Sequence, residues 1–236
     1  MKKIGFFLML IVVLYSCGSN SSESSMIVTG NVKGLKKGTL YLQHIPDSVL
    51  VTIDSLKIAG DGNFNFEIPL DHAEIFYLYL DKTDNNDIND RITFFGEPGT
   101  ITINTAWNTF DTKARISGSE THKKLEEYRE VMSRFNSKNL EYLQAAFDPE
   151  VQQDSLAMDS IQRASDRNLV RGYLYAINFA LNNKDSEIAP YIAVKEVPDA
   201  NAKYLDSVYT VLSPEVADSK YGKELRSYLD KIKTAE

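Results

Sequence analysis

Lys113 to Phe135 reads KARISGSETHKKLEEYREVMSRF, and within these residues the chain changes its period. Up to Ile116 apolar and polar residues alternate, as in a strand with one buried face. After Gly118-Ser119 the apolar residues recur at Leu125, Tyr128, Met132 and Phe135, and further on at Tyr142 and Ala146. Steps of three, four or seven put them on one side of an α-helix. Ser119 stands where its hydroxyl would cap the first turn. The boundary predicts an α+β chain, with a β domain over residues 26–118 and a helical domain over 119–236.

Reading back from Ile116, the same alternation recurs in short runs rich in Val, Ile, Thr, Tyr and Phe: MIVTGNV, TLYLQHI, VLVTIDSLKI, NFNFEI, IFYLYL, RITFF and TITIN. With KARI they make about eight strands, separated by Gly, Pro, Asn and Asp. GLKKG reads as a turn. Gly60-Asp61-Gly62 offers the positive φ angles of a tight hairpin, and Glu97-Pro98-Gly99 is expected to turn the sixth strand into the seventh. Phe64, Phe66 and Ile68 share one face. Such spacing predicts an antiparallel β-sandwich or partly open barrel.

Reading forward, Asp148-Pro149 ends the first helix and a second long one is expected from Glu150 to Leu181, up to the break at Asn182-Asn183-Lys184-Asp185. Shorter helices fit Ser186 to Val194, Ala200 to Leu212 and Ser219 to Lys233, punctuated by Pro198 and Pro214. Together they have the composition of an antiparallel helical bundle.

The chain has 236 residues, 26 basic against 33 acidic, and one cysteine. With no basic surplus to neutralise phosphates, no nucleic-acid partner is expected. One thiol makes neither an internal disulfide nor a Cys-x-x-Cys pair nor a multi-Cys zinc site. That thiol ends the segment MKKIGFFLMLIVVLYSC, in which Lys2 and Lys3 precede an apolar stretch from Ile4 to Tyr15. About 12 apolar residues at ~1.5 Å each reach only ~18 Å, too short for a hydrocarbon core of ~30 Å. The order of charge, apolar run and small residue is that of an export signal over residues 1–16. Residues 17–25, beginning CGSNSSESS, then read as a flexible polar tether.

LYSC resembles the lipobox of bacterial lipoproteins, although Tyr15 is bulkier than is usual at its position. The resemblance implies cleavage after Ser16 and a lipid on Cys17; the bland alternative is a thiol of no consequence, or one lost with the signal. Gly18 is not the aspartate that, in enteric lipoproteins, keeps such proteins at the inner membrane. The expected address is therefore the outer membrane, facing the periplasm, and the expected membrane partner is the bilayer reached through the lipid anchor.

IVTGNVKGLKKGTLYL, DSLKIAGDGNFNF, FGEPGTITIN and RISGSETHKKL, in this order and at these spacings, resemble a domain of unknown function that precedes a thioredoxin-like module in many lipoproteins of Gram-negative bacteria. SEIAPYIAV and LSPEVADSKYGKELRSYL are similar to the helical segment that follows it. In that family the redox chemistry belongs to the thioredoxin-like module, which would begin where this chain ends, at Glu236. No catalytic residue carries over. The resemblance implies a non-catalytic cell-envelope binding or scaffold module for a periplasmic protein, such as a thioredoxin-like one. The alternatives are an envelope enzyme of hydrolase-like class and a truncated thiol-disulfide oxidoreductase without its redox domain.

Candidate chemistry is sparse. His44, His72 and His122 lie far apart, on a strand, in a loop and on a helix, without metal-ligand spacing. No phosphate loop, dinucleotide fingerprint or nucleophile elbow occurs, so no cofactor and no metal are expected. The acidic loop from Asp81 to Asp90 has calcium-type oxygen ligands in an order that does not fit a helical-hand loop, and a solvated loop between strands is the simpler reading. Trp107 and Phe110, in AWNTFDT, are candidates for ligand or partner contact; more commonly such residues close one end of a β core.

Overall fold

Strand pairing divides the β half into two open sheets. The computed structural model describes residues 24–82 and 90–235, and its strands are β1 (Ser25–Lys33), β2 (Lys37–His44), β3 (Val51–Ala59), β4 (Asn63–Pro69), β5 (Glu74–Asp81), β6 (Arg91–Gly96), β7 (Gly99–Ala106) and β8 (Arg115–Ser117). One sheet has the order β4-β1-β7-β8 and the other β3-β2-β5-β6. The architecture is the expected sandwich, not closed into a barrel. The export segment, Cys17 and most of the tether lie outside the described residues, as does the greater part of the Asp81 to Asp90 loop.

Two of the turns, the first of them expected as a hairpin, carry the chain across between the sheets. β3 pairs with β2 and β4 with β1, so Gly60-Asp61-Gly62 carries the chain from one sheet to the other. The turn is moulded against β1: Val32 N–H donates to Gly62 O at 2.9 Å, and Asn31 Nδ2 donates to Asp61 O at 2.9 Å. Gly62 has φ 75°, and a Cβ there would stand 2.2 Å from Val32 O, so only glycine fits. Glu97 and Pro98 likewise lead from β6 into the other sheet. The chain re-enters at the end where β1 begins, and β7 therefore runs parallel to β1, with Met26 opposite Gly99. Among the described residues this is the one parallel pair in an otherwise antiparallel arrangement.

Period-two alternation explains the cores. Met26, Val28, Leu40, Leu42, Phe64, Phe66, Leu78 and Phe94 fill the space between the sheets. β5 and β6 are apolar on both faces because both are covered. Phe76, Leu78 and Phe94 point between the sheets, whereas Ile75 and Phe95 pack with Tyr191, Ile192, Tyr221 and Leu225 of the helical half. The β5–β6 face is thus a wall shared by two cores.

The helices are α1 (Glu120–Ala146), α2 (Pro149–Gln153), α3 (Ser155–Asn182), α4 (Ile188–Tyr191), α5 (Ala202–Val211), α6 (Pro214–Asp218) and α7 (Lys220–Ala235), and α4 runs on as a π-turn over Ile192–Glu196. Gly118, at φ 92°, makes the step from β8 into α1; a Cβ there would lie 2.1 Å from Thr100 O. Ser119 Oγ then accepts from His122 N–H at 2.9 Å, as the sequence predicts. The Glu97 carboxylate accepts from Glu120 and Thr121 N–H at 2.6 and 3.2 Å. Three orphan amides are satisfied by groups from both sides of the boundary, and a negative charge sits at the helix's positive end.

The long helix expected from Glu150 is split. Asp154 leaves helical geometry and its carboxylate caps α3, accepting from Leu156 and Ala157 N–H. Pro214 starts a short helix, α6, with Ser213 as its cap. The bundle also differs from expectation in extent. In α1 only Thr121, His122, Leu125 and Tyr128 are buried, and in α3 only Asn168, Gly172, Ala176, Ile177 and Ala180. From residue 129 to 167 nothing is buried, and α1 and α3 continue as a two-helix arm.

Candidate functional site

A cleft of about 660 Å³ opens where the shared β wall meets the helices. Its sides are the β2–β3 loop at Ile45–Ser48, the helix-facing residues Ile75, Tyr77 and Thr93, Tyr191 and Lys195 from α4 and its π-turn, and the first turn of α7. Each element is held by a physical constraint. Tyr221 Oη accepts from Ile75 N–H at 3.0 Å, which pins α7 to β5. The π-turn, with Val197 N–H donating to Ile192 O at 3.1 Å, widens the helix end and sets Lys195 at the rim; π-turns are frequent at functional sites.

The floor is aromatic. Tyr191 and Tyr221 line it, and the fully buried Phe95 behind them meets both edge to face, the three centroids lying 5.0, 5.1 and 6.0 Å apart. Burial pushes the Tyr191 phenol up to about 12. It pushes Tyr221 further in the same direction, against the bond from Ile75 N–H. Both rings stay protonated at neutral pH, and act as hydrogen-bonding and packing groups rather than as bases. Beside the floor, the Arg91 guanidinium lies over Tyr77 and Tyr79 at 5.7 and 5.5 Å.

The rim carries charges in pairs. Lys220 Nζ contacts Ile45 O and the Glu74 carboxylate. Glu74 also lies 3.4 Å from His44 Nδ1. Lys195 pairs with Glu224, and Lys223 with Asp218 at 3.0 Å. The mouth is therefore zwitterionic, and suits a partner that presents both polar and aromatic or aliphatic groups.

The sequence candidates fall elsewhere. Trp107 is 44% exposed, at the opposite end of the sandwich, with Lys82 Nζ 5.9 Å from its ring centroid. Phe110 is fully buried in the sandwich core, where it offers a ligand no surface; Thr105 Oγ1 donates to its carbonyl at 2.9 Å. The pair is thus divided between a half-exposed residue and a core one. His122 is buried, and its Nδ1 accepts from Phe95 N–H at 3.3 Å. His72 lies 3.9 Å from Glu187. Of the acidic loop, Asp90 is already paired with Lys82, and residues 83–89 lie outside the described ones. Among the described residues no group of three or more His, Cys, Asp or Glu side chains is arranged to hold a metal ion.

Sequence reasoning missed the cleft, although two of its walls lie in quoted segments: Tyr191 in SEIAPYIAV, and Lys220 with Tyr221 in DSKYGKEL. Their signal was a tyrosine four residues before Lys195 in one helix and next to Lys220 in the other. It becomes legible only when the β wall is set against them.

A domain of unknown function, DUF4369, is found at residues 26–125. The match covers both sheets and runs into α1 as far as Leu125, the residue by which α1 enters the helical core. No curated protein and no solved structure matches the chain.

Proposed function

We propose that the chain is a non-catalytic binding or scaffold module of the cell envelope, held by a lipid on Cys17 at the outer membrane and facing the periplasm. Its cleft receives a segment of a periplasmic protein, for which a thioredoxin-like protein is the first candidate. The cleft between the β wall and α7 carries this reading: it is concave and floored by rings that remain neutral, and its lysines are already matched by carboxylates. Such a surface favours recognition over proton transfer. The chain also enters the fold at this end. Ser24 Oγ donates to Leu70 O at 2.8 Å and to Asp71 Oδ1 at 3.1 Å, a few residues before Glu74. A tether from Cys17 would leave the cleft end near the bilayer, with a reach of about 15 Å for seven residues.

The test has two arms. Labelling with a fatty-acid probe in the native host should mark the chain and be lost in Cys17→Ala; labelling that survives the substitution refutes the anchor. A photo-crosslinking residue at Ser48, on the cleft rim, should capture one reproducible envelope protein, whereas the same residue at Thr210 should not. Equal capture at both positions, or none at Ser48, refutes the binding site.

A further inference from the structure

The arm formed by the distal parts of α1 and α3 leaves apolar side chains in solvent. Leu140 and Leu143 are 55% exposed and Phe147 is 69% exposed. At 100° per residue the three fall on one flank of α1, about a quarter-turn from the stripe of Met132, Phe135, Tyr142 and Ala146 that faces α3. α1 is therefore apolar on two sides, and no element among the described residues covers one of them. Asn168 Nδ2 donates to Phe135 O at 2.9 Å and to Asn139 Oδ1 at 2.7 Å. This sets α3 level with α1 and places exposed Leu169 on the same flank, level with Asn136. Between Ser133 and Phe147 that flank of α1 carries no charge.

The charges on the arm say what covers it. From residue 139 to 162 there is no lysine or arginine, while Glu141, Asp148, Glu150, Asp154 and Asp159 are acidic. The tip is therefore negative. The half nearer the body carries Arg129, Arg134, Lys138, Arg163, Arg167 and Arg171 against Glu130 and Asp166, and is positive on balance. Arg134, Lys138 and Arg163 are each paired within their own helix. Arg129, Arg167 and Arg171 make no ion pair among the described residues, and neither do Asp148, Glu150 and Asp154 at the tip. Each end of the arm complements the other end of an identical arm, so the charges favour an antiparallel pairing and oppose a tip-to-tip one.

We propose that the uncharged flank of the arm docks a second copy of this chain, the two hairpins pairing antiparallel about a two-fold axis into a four-helix bundle. With the axis between Leu140 and Leu143, Leu140 of one copy packs on Leu143 of the other, and Phe147 meets Leu169 and Asn136 of the second copy. The unpaired tip carboxylates then approach the second copy's Arg129, which stands on the same side of α1 as Leu140 and Phe147. A two-helix face of this length covers roughly 500 Å² per partner, against about 800 Å² per partner in a standard stable interface. The dimer is accordingly a weak one, and independent of what occupies the cleft.

A photo-crosslinking residue introduced at Phe147 in the full chain, in the envelope of the expressing cell, tests this directly. The expected adduct has twice the mass of the chain, and peptide mapping joins position 147 to the segment around Asn136 or Leu169 of the second copy. Leu140→Glu with Leu143→Glu should lower its yield at least tenfold while circular dichroism stays unchanged, since both residues are exposed. The same probe at Arg134, off the flank, should give no homodimer adduct. A join from 147 to 147 would show parallel arms and overturn the proposal, as would adducts with other proteins alone or no adduct at all.

Discussion

The shared β wall and the distal arm are built from residues of similar apolarity, yet they use them in opposite ways. In EIFYLYL, Phe76, Leu78 and Leu80 go to the core between the sheets, Ile75 and the half-buried Tyr77 to the helical one, and none is left exposed. In LEYLQAAF, Leu140 to Phe147, the seam to α3 is only half-buried and a second apolar stripe faces water. A strand hydrogen-bonded on both edges and packed on both faces has no freedom left. A helix satisfies its own backbone, and can extend beyond the body with only one neighbour. Stability should therefore concentrate at the wall, and exposed side chains on the arm should contribute little to it.

The sharpest way to break this contrast is Phe95→Ala. Phe95 is fully buried and touches Tyr191 and Tyr221 across the joint. Truncation of a core phenylalanine costs about 3–5 kcal/mol. Because the wall belongs to both cores, calorimetry should show one transition moved down as a whole. Two transitions, of which only one moves, would mean that the halves unfold separately.

Capping of α1 comes next. Ser119→Ala removes the acceptor for His122 N–H and should cost about 1 kcal/mol in denaturant titration. Glu97→Gln keeps an acceptor but removes the charge at the helix N-terminus, and should cost less, about 0.5 kcal/mol. If the two losses were reversed in size, the charge would matter more than the hydroxyl at this junction.

His122 gives a smaller effect with a definite sign. Burial lowers its pKa below the usual 6.5, against the opposing pull of Glu126. Neutral imidazole is thus favoured in the fold, where Nδ1 accepts from Phe95 N–H. Below about pH 6.5 the unfolded chain takes up a proton that the folded chain resists, so stability falls as pH drops from there toward the folded-state pKa. The melting temperature should decline between pH 7 and 5 more steeply in the native chain than in His122→Gln. Parallel slopes would assign the decline to carboxylates elsewhere.

How far these features were legible in the sequence follows the same division. The eight strands, the Ser119 cap and the change of period were readable because each depends on residues near in the chain. The crossings at Gly60-Asp61-Gly62 and Glu97-Pro98-Gly99 were not. A glycine turn specifies φ angles but not which strand receives the next one, and that choice is made by Phe64 and Phe66 finding the core beside β1. The cleft was hidden for the same reason, since Tyr77, Tyr191 and Tyr221 stand far apart in the chain. For Trp107 and Phe110 the composition gave two candidates of equal standing, and only packing separated the exposed indole from the buried ring. The arm escaped notice because a helical period marks one apolar stripe, whereas α1 carries two.

Leu156 supplies the finest test of the contrast. It lies in the first turn of α3, 78% exposed, behind the Asp154 cap that accepts from its own N–H. Leu156→Ala removes apolar surface that is already in water, and alanine has the better helix propensity. The expected change in stability is within about 0.5 kcal/mol of zero, as for surface positions generally. Asp154→Ala, two residues away, removes the acceptor for two amides and should cost about 1 kcal/mol. A loss at Leu156 comparable to that at Asp154 would mean that this leucine is covered in solution, and that the arm's tip, as well as its uncharged flank, is a contact surface.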